Sequence, residues 1–191
     1  MEQILAIVLA YLLGSISFGV LVAKSQGIDI HTVGSGNTGT SNVMRVLGKK
    51  LGAVVLVGDA GKGMLAAAIG VWLVDPAFGY VTLFAAVLGH AFPVFHRFRG
   101  GKSVATALGG FVVLAPVVGV TLTIMWGVIL IVWKTASVGS IIVMVLAVPF
   151  LALAGRRGSD LVWSAAIVIF ILIRHSGNIQ RLTQGSERKV Q

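Results

Sequence analysis

A polar, glycine-rich segment near the start of the chain has the composition of an anion-binding loop. Three of the six residues from Gly34 to Gly39 are glycines, which allow positive φ angles and close approach of the backbone to a ligand. Successive exposed amides in such a turn bind anions, and Arg45 adds a planar guanidinium suited to phosphate. The predicted ligands are Gly34, Ser35, Gly36, Asn37, Gly39, Thr40, Ser41, Asn42 and Arg45. The alternative is a flexible polar turn, although the segment is neither repetitive nor charged like a linker.

A second segment, Arg97–Thr106, has two glycines and a lysine before a long apolar run. The glycines would expose backbone amides, and a helix beginning here would add a partial positive charge of about half a unit. The predicted phosphate ligands are Gly100, Gly101, Lys102, Ser103 and Thr106. This is not a Walker A loop, because His96 stands where that motif requires glycine. The alternative is a positively charged anchor at the membrane surface.

A third segment, Arg174–Arg181, follows the last apolar run. His175 and Asn178 are three residues apart and would share one helical face. Near neutral pH, histidine can accept a proton or donate a hydrogen bond to phosphate. Ser140, near the start of another apolar segment, is a further candidate ligand. Taken alone, the third segment fits an interfacial helix that binds anionic lipid better than it fits an active site.

Other reactive groups are few. Asp59 and Lys62 lie three residues apart within an apolar run, where an isolated charge costs at least about 3 kcal/mol. An internal ion pair is therefore predicted, and the alternative is a position near the cytoplasmic interface that faces the site. His90 is predicted to be a hydrogen-bond donor with a structural role. The sequence has no cysteine and no His/carboxylate cluster with metal-ligand spacing, which predicts that there is no metal and no cofactor. It also has neither G-x-S-x-G nor H-x-x-x-x-D, so acyl transfer here would not use those arrangements.

The composition is that of a membrane protein. Hydrophobic residues make up 57% of the 191 residues, and charged residues only 11%, against about 25% in soluble domains. The mean hydropathy is +0.98. A net charge of +9 would suggest nucleic acid in a soluble protein, but here the positive residues lie between apolar runs. They therefore indicate membrane topology, anionic lipid and phosphorylated substrates, and no nucleic acid.

The apolar runs predict an all-α bundle of seven transmembrane helices in a single domain, residues 1–191. The predicted spans are Gln3–Ala23, Leu51–Val74, Ala77–Phe95, the two halves of Val104–Trp133, Ser137–Ala154 and Leu161–Ile173. The run Val104–Trp133 is too long for one ordinary span, and Pro116 near its middle predicts a break. An unbroken helix would give six spans.

The positive residues assign the two sides of the membrane. With seven spans, twelve of the Lys and Arg residues fall on one side, which the positive-inside rule places in the cytoplasm. The N-terminus is then outside and the C-terminus cytoplasmic, with Arg156 and Arg157 as exceptions. All three polar segments converge on the cytoplasmic face, where the active site is predicted.

Short motifs in a fixed order run through almost the whole chain. They are Gly14-Ser-Ile-Ser-Phe-Gly19, Gly34-Ser-Gly-Asn-x-Gly-x-x-Asn-x-x-Arg45, Asp59…Lys62-Gly63, Gly89-His-x-Phe-Pro93, Phe98-x-Gly-Gly-Lys-x-Val-Ala-Thr-Ala107, His175-x-x-Asn-Ile-x-Arg-Leu182 and Gly185-x-Glu187. Together they resemble the bacterial acyl-phosphate:glycerol-3-phosphate acyltransferase family of integral membrane enzymes. The family usually has glycine where this chain has Ser103, and proline where it has Ser17.

The resemblance implies transfer of an acyl group from acyl phosphate to the sn-1 hydroxyl of glycerol 3-phosphate. The products would be lysophosphatidic acid and phosphate, formed in phospholipid synthesis at the cytoplasmic face of a bacterial inner membrane. The expected catalytic residues are Ser35, Arg45, Lys102, His175 and Asn178, and the proton would go to His175 or to the donor's phosphate. The enzyme is expected to work as a monomer surrounded by membrane lipid.

Two other classes of protein fit part of the pattern. A transporter or channel for a phosphorylated metabolite would use polar loops in broken helices, but such loops lie near the membrane midplane and not at one face. A non-catalytic protein that binds anionic lipid would explain the basic ends of the helices, but not the segment rich in Gly, Asn and Ser.

Overall fold

The computed structural model describes residues 1–190, and these residues are all-α as predicted. They form ten α-helices and one 3-10 turn. In chain order these are α1 Glu2–Gly14, α2 Phe18–Ser25, α3 Thr40–Leu47, α4 Lys49–Leu73, α5 Phe78–Ala91, the 3-10 turn Val94–His96, α6 Val104–Leu114, α7 Pro116–Trp133, α8 Ala136–Leu153, α9 Ser159–Arg174 and α10 Ser176–Thr183. The predicted domain ends one residue later, at Gln191, which lies outside the described residues.

Five helical segments within residues 1–190 are long and apolar enough to cross a membrane. They are Glu2–Ser25, Lys49–Leu73, Phe78–His96, Pro116–Trp133 and Ala136–Leu153. The pair α9 and α10, bent by 54°, is a sixth if it counts as one span. α6 is apolar but has only 11 residues, which is about 16 Å of helix against a hydrocarbon core of about 30 Å. A count of seven therefore requires α6 as a short span.

The predicted break in the run Val104–Trp133 is confirmed and falls at Ala115. Pro116 is the first residue of α7, where its missing N–H leaves no helical hydrogen bond unmade. Gly119 lets the two helices approach closely, since a Cβ there would overlap the backbone of Phe111 and Val112. The break therefore turns the chain back on itself between α6 and α7.

The predicted span Gln3–Ala23 corresponds to the candidate span Glu2–Ser25, but its helix is interrupted at Ser15–Ser17, which the sequence did not predict. The Ser17 hydroxyl accepts a hydrogen bond from an amide in the first turn of α2 at 3.5 Å. The carbonyl of Ile16 lies in the break and accepts from Lys62 Nζ at 2.7 Å. A serine at the helix start and a lysine from α4 thus satisfy backbone groups that the broken helix leaves without partners.

The sequence predicted a loop through Thr40–Asn42, whereas the structure begins the short helix α3 at Thr40. No side chain caps the first amides of α3, and Gly39 before it has extended backbone. α3 buries Val43 in a cluster with Ile30 and Val55. The second half of the predicted loop is therefore the N-terminal turn of α3, whose first amides have no side-chain cap. The apolar face of α3 holds the helix in place.

α4 packs against α1, α3, α5 and α6. Its contact with α6 depends on glycine. A Cβ on Gly63 would overlap the Thr106 carbonyl, and a Cβ on Gly109 would overlap the Ala60 carbonyl. This close approach fixes α6, and the loop before it, relative to α4.

Charged groups within the apolar bundle have partners. Asp59 Oδ1 and Lys62 Nζ are 2.9 Å apart and both side chains are buried, so the predicted internal ion pair is confirmed. Arg156 donates to the Leu114 carbonyl at 2.6 Å, at the end of α6. A helix end leaves carbonyls without partners, and this structural need accounts for an arginine outside the predicted cytoplasmic group.

Candidate active site

One pocket opens where the polar connections meet, with a volume of about 840 Å³ when the solvent at its mouth is counted. Its wall combines the segment before and within α3, the start of α6, the start of α8 and the chain after α9. The predicted site residues in this wall are Ser35, Asn37, Gly39, Thr40, Ser41, Asn42, Arg45, Lys102, Ser103, Ser140, His175 and Asn178. An apolar part of the wall is formed by Leu56, Leu108, Trp126 and Ala136.

Asn42 holds the glycine-rich loop in place. Its Oδ1 accepts from the Ser35 N–H at 2.8 Å, and its Nδ2 donates to the Val33 carbonyl at 3.1 Å. Gly34 and Gly36, on either side of Ser35, have φ of +63° and +70°, which residues other than glycine adopt only with strain. Asn42 is only 2% exposed, so it is a support for the loop instead of an open ligand.

The first turn of α6 faces the pocket through Val104 and Ala105. No side chain caps the amides of this turn. Together with the helix dipole, these amides give the pocket wall a positive potential beside Lys102. The arrangement suits a phosphate, as the sequence predicted for this segment.

Ser103 precedes α6 in the left-handed conformation, with φ of +64°. Its hydroxyl donates to the Val87 carbonyl at 2.8 Å, and the residue is 2% exposed. The side chain therefore points toward α5 and leaves the first turn of α6 clear. The left-handed conformation costs a non-glycine residue about 1–2 kcal/mol, which a hydrogen bond worth about 1 kcal/mol largely offsets.

Asn178 and Glu187 connect Lys102 to the chain after α10. Asn178 Oδ1 accepts from Lys102 Nζ, and Asn178 Nδ2 donates to Glu187 Oε1 at 2.6 Å. The same oxygen of Glu187 accepts from the Ser137 hydroxyl at 3.1 Å, and its other oxygen accepts from Arg181 Nε at 2.8 Å. One carboxylate thus ties α8, α10 and the Lys102 loop into a single wall.

The chain after Glu187 lies along the pocket. Arg45 Nε donates to the Lys189 carbonyl at 3.2 Å, and Arg45 also contacts Asn42 Oδ1 at 3.4 Å. The Val190 N–H donates to the Lys134 carbonyl at 2.6 Å. These contacts hold the Arg45 guanidinium at the pocket wall.

Positive charge is concentrated around the pocket. Its wall contains four cations, namely Arg45, Lys102, Arg181 and Arg188. Burial, with the nearby charge of Arg181, lowers the pKa of Lys102 to about 8. Burial and the neighbouring Arg188 also lower the pKa of Arg45, although a guanidinium remains charged at any physiological pH. Anions in the pocket would relieve this repulsion.

A backbone carbonyl fixes the tautomer of His175. Its Nδ1 lies 2.8 Å from the Ile171 carbonyl, which only accepts, so Nδ1 carries the proton and Nε2 is the free acceptor. Burial and the nearby charge of Lys102 lower the pKa of His175 to about 4. The ring is therefore neutral at pH 7, and its orientation needs no carboxylate.

Five predicted ligands lie away from the pocket wall formed by the described residues: Gly34, Gly36, Gly100, Gly101 and Thr106. The Gly101 N–H donates to the His90 carbonyl at 3.1 Å, so that amide is not open to phosphate. The Thr106 hydroxyl is buried 3.4 Å from His90 Nδ1. These residues shape the loops that carry the ligands.

Comparison with known proteins agrees with this chemistry. The profile of the family described as glycerol-3-phosphate acyltransferase matches residues 4–185. The chain belongs to the glycerol-3-phosphate acyltransferase family. Among its relatives, the acyltransferase of Geotalea daltonii is 42% identical over 188 residues, covering 97% of this chain and 96% of that protein. The acyltransferase of Aquifex aeolicus is 42% identical over 193 residues, covering 99% and 100%.

The solved structures of PlsY, an integral membrane glycerol 3-phosphate acyltransferase, have the same fold as this acyltransferase. The glycerol 3-phosphate form matches with a TM-score of 0.93 at 40% identity, over 99% of this chain and 96% of that chain. The lysophosphatidic acid form matches with a TM-score of 0.90 at 40% identity, over 99% and 95%. This acyltransferase is accordingly an integral membrane protein with several helical spans.

Six polar residues in the wall of the acyltransferase pocket were not among the predicted site residues, although a position facing the site was the alternative for Asp59. These are Asp59, His90, Ser137, Arg181, Glu187 and Arg188. Arg181 and Glu187 lie in the motifs that carried the family resemblance, which was the available signal. Their pairing depends on the chain folding back after α10, and no spacing rule predicts that fold.

The hydrogen bond of Ser103 gives a testable expectation. Ser103→Gly should keep the acyltransferase activity and change the melting temperature little, because it removes backbone strain and a hydrogen bond together. Ser103→Ala keeps the strain and loses the bond, which should cost about 1 kcal/mol, or about 2–4 °C in melting temperature. Thermal unfolding in detergent measures both. A Ser103→Gly protein without activity would show that the hydroxyl acts in catalysis.

Proposed function

We propose that this glycerol-3-phosphate acyltransferase takes its acyl group from acyl phosphate and forms lysophosphatidic acid by acylating the sn-1 hydroxyl. The hydroxyl oxygen bonds to the acyl carbon, and the bond from that carbon to the phosphate oxygen breaks. Phosphate leaves with the bonding electrons, and the hydroxyl proton goes to a base. The products are 1-acyl-glycerol 3-phosphate and inorganic phosphate.

The observation that carries the proposal is the convergence of cations and an apolar wall on one pocket. Acyl phosphate and glycerol 3-phosphate each carry a phosphate, and the two repel one another when they are brought together. Arg45, Lys102 and the open amides of α6 would offset that repulsion. The apolar wall beside them, at Leu108 and Trp126, suits the start of the acyl chain.

The enzyme then acts mainly by positioning. Acyl phosphate is already activated, so no covalent acyl-enzyme is required, and holding two substrates in reacting geometry accelerates the reaction greatly. Ser35 and Asn37 orient the donor and stabilise the negative charge on the carbonyl oxygen, while His175 positions glycerol 3-phosphate. Asn178, predicted as a further catalytic residue, holds the Lys102 ammonium toward the substrate, because its oxygen is paired with Lys102 and its amide with Glu187. Ser140 was predicted as a further ligand.

The contacts of Ser140 suggest a different part for it. Its hydroxyl donates to the Ala136 carbonyl at 2.8 Å and accepts from Trp126 Nε1 at 3.1 Å. The donor position of the hydroxyl and one of its acceptor positions are therefore occupied within the protein. We assign Ser140 to orienting the indole of Trp126 in the apolar wall.

We assign the hydroxyl proton to the phosphate of the donor. With a pKa of about 4, His175 is a weak base, whereas a phosphate group that titrates near about 6 is a stronger one. The free Nε2 of His175 can accept a hydrogen bond from the second hydroxyl of glycerol 3-phosphate, which orients the substrate and leaves the sn-1 proton for the phosphate. This role requires a neutral His175 ring with the proton on Nδ1, which is the tautomer that the Ile171 carbonyl fixes.

We further propose seven spans in a bacterial inner membrane, with the N-terminus outside and the pocket and C-terminus cytoplasmic. Contacts at the two ends of α6 support its role as a short span. The loop before it is held by Arg174 at the end of α9, which donates to the Gly101 carbonyl at 3.2 Å, and its far end is held by Arg156 before α9. α6 and α9 therefore run between the same two ends of the bundle.

A reporter fused to the C-terminus tests this topology. The seven-span arrangement predicts that a reporter active only in the cytoplasm is active, and that one active only outside is silent. The reverse result would contradict the arrangement. Since residues of a single chain form the pocket, we propose that one chain is a sufficient unit.

Purified enzyme in lipid tests the donor. Acyl phosphate with glycerol 3-phosphate should give equal amounts of lysophosphatidic acid and phosphate. Acyl-CoA and acylated acyl carrier protein should give no lysophosphatidic acid. Equal rates with acyl-CoA would contradict the assignment of acyl phosphate. Uptake of glycerol 3-phosphate into vesicles without acylation would instead favour the transporter alternative.

A further inference from the structure

A buried polar cluster lies directly beneath the loop that carries Lys102. His90 Nδ1 is 3.4 Å from Asp59 Oδ1, and Asp59 is paired with Lys62. His90 is 5% exposed, and the other two side chains are less than 3% exposed. His90 and Asp59 also reach the floor of the pocket, although no step of the reaction uses them.

The His90 residue touches the loop through both its backbone and its ring. The His90 carbonyl accepts from the Gly101 N–H at 3.1 Å. A Cβ added to Gly101 would overlap Nε2 of the ring and lie 3.0 and 3.1 Å from its two neighbouring carbons. The three nearest atoms to that Cβ all belong to the His90 side chain, and the φ of Gly101 is outside the positive range. Glycine at 101 is therefore required by the ring and not by backbone conformation.

We propose that His90 is a positioning residue: its ring, held by Asp59, sets the place of Gly101 and thereby of the Lys102 ammonium. The loop is held on its other side by Arg174, whose guanidinium donates to the Gly101 carbonyl at 3.2 Å. Lys102 is the next residue, and its ammonium has its own partner in Asn178. A small shift of Gly101 is passed to Lys102, because no flexible residue separates them.

The proposal rests on the proposed phosphate role of Lys102, and a double-mutant cycle tests it. Gly101→Ala should lower kcat/KM for glycerol 3-phosphate at least about tenfold, mainly through KM, because a displacement of about 1 Å costs up to about a hundredfold. His90→Ala should also lower it. The double variant should be at least about tenfold more active than Gly101→Ala, because the new methyl group occupies the space that the ring leaves.

Gly100→Ala is the matched control. A Cβ there would overlap the His90 carbonyl and lie 2.6 Å from Pro93 Cδ and 2.7 Å from the Ala91 carbonyl. These are backbone and proline atoms, which removal of the His90 ring leaves in place. The activity of Gly100→Ala should therefore not recover when His90→Ala is added.

Two conservative variants distinguish support of the loop from pairing with Asp59. His90→Gln places an amide near the position of Nε2, under Gly101, whereas His90→Asn places one near Nδ1, beside Asp59. KM for glycerol 3-phosphate should be nearer the wild-type value in His90→Gln than in His90→Asn. These variants also keep the test possible if His90→Ala fails to fold.

Several outcomes would overturn the proposal. One is a Gly101→Ala enzyme with wild-type kcat/KM for glycerol 3-phosphate. Another is a double variant whose kcat/KM is no higher than the product of the two single-variant effects predicts. The third is a His90→Asn enzyme whose KM for glycerol 3-phosphate is as low as, or lower than, that of His90→Gln. Failure of the proposed function is a separate result, because the wild-type enzyme would then show no acylation with acyl phosphate. Thermal unfolding of every variant separates loss of fold from a change in KM.

Discussion

Lys102→Ala is expected to lower kcat/KM for glycerol 3-phosphate by about ten- to a hundredfold while the protein remains folded in detergent. A charged hydrogen bond to phosphate is worth about 1.5–3 kcal/mol, which corresponds to that range of rate when the contact is made in the transition state. Arg45→Ala should have a similar effect, and Arg45→Lys should restore only part of it because lysine lacks the planar fork. Lys50→Ala, which removes an exposed charge outside the pocket, is the matched control.

The lowered pKa of Lys102 adds a pH dependence to this expectation. Since that pKa is about 8, the free enzyme loses the ammonium as the pH rises through 8, and kcat/KM should fall above that value. A bound phosphate raises the lysine pKa, so kcat should fall only at higher pH. Lys102→Arg should lack the limb near pH 8. Near-normal kcat/KM in Lys102→Ala would contradict the assigned role.

His175→Gln is expected to keep measurable turnover, with a loss in kcat/KM of up to about a hundredfold that lies partly in KM. The reason is that the ring positions glycerol 3-phosphate, and glutamine retains an acceptor in a similar place. An obligatory general base would be worth about 10²–10⁴-fold, lost in kcat. His31→Gln, outside the pocket wall, is the control for a histidine lost elsewhere.

The pH–rate profile of His175→Gln decides where the proton goes. With its pKa near 4, His175 is neutral from about pH 5 upward, so a low-pH limb near pH 6 belongs to substrate phosphate. That limb should survive in His175→Gln. Complete loss of turnover at saturating substrate, with folding intact and no recovery at higher pH, would instead make His175 the base.

The parts of the fold that were predicted correctly depend on local chemistry. Pro116 cannot continue a helix, so the break before α7 is readable from one residue. The break at Ser15–Ser17 was missed because it depends on Lys62, which satisfies a carbonyl 46 positions away in the chain. α3 was missed because its first residues are polar and its apolar contacts, such as Val43, appear only in tertiary structure.

In the site, too, the residues that were predicted depend on local sequence, and those that were not depend on tertiary contacts. Residue type and spacing identified Arg45, Lys102 and His175, which the structure brings to one pocket. The glycines before Lys102 were interpreted as open amides, but the Gly101 amide is used by a carbonyl from the preceding helix. Glu187 was not predicted in the site, because its three partners are 6, 9 and 50 positions away and meet only when the chain folds back over α8.

The short length of α6 has a consequence for where the product forms. Its far end is held by Arg156, and its 11 residues span about 16 Å, about half of a hydrocarbon core of about 30 Å. In the proposed topology, the first turn of α6 is therefore set back from the cytoplasmic headgroups, with the apolar wall at Leu108 and Trp126 beside it. Lysophosphatidic acid would form with its acyl chain already beside the lipid tails. Its release is then a sideways diffusion into the leaflet, with no acyl chain exposed to water on the way.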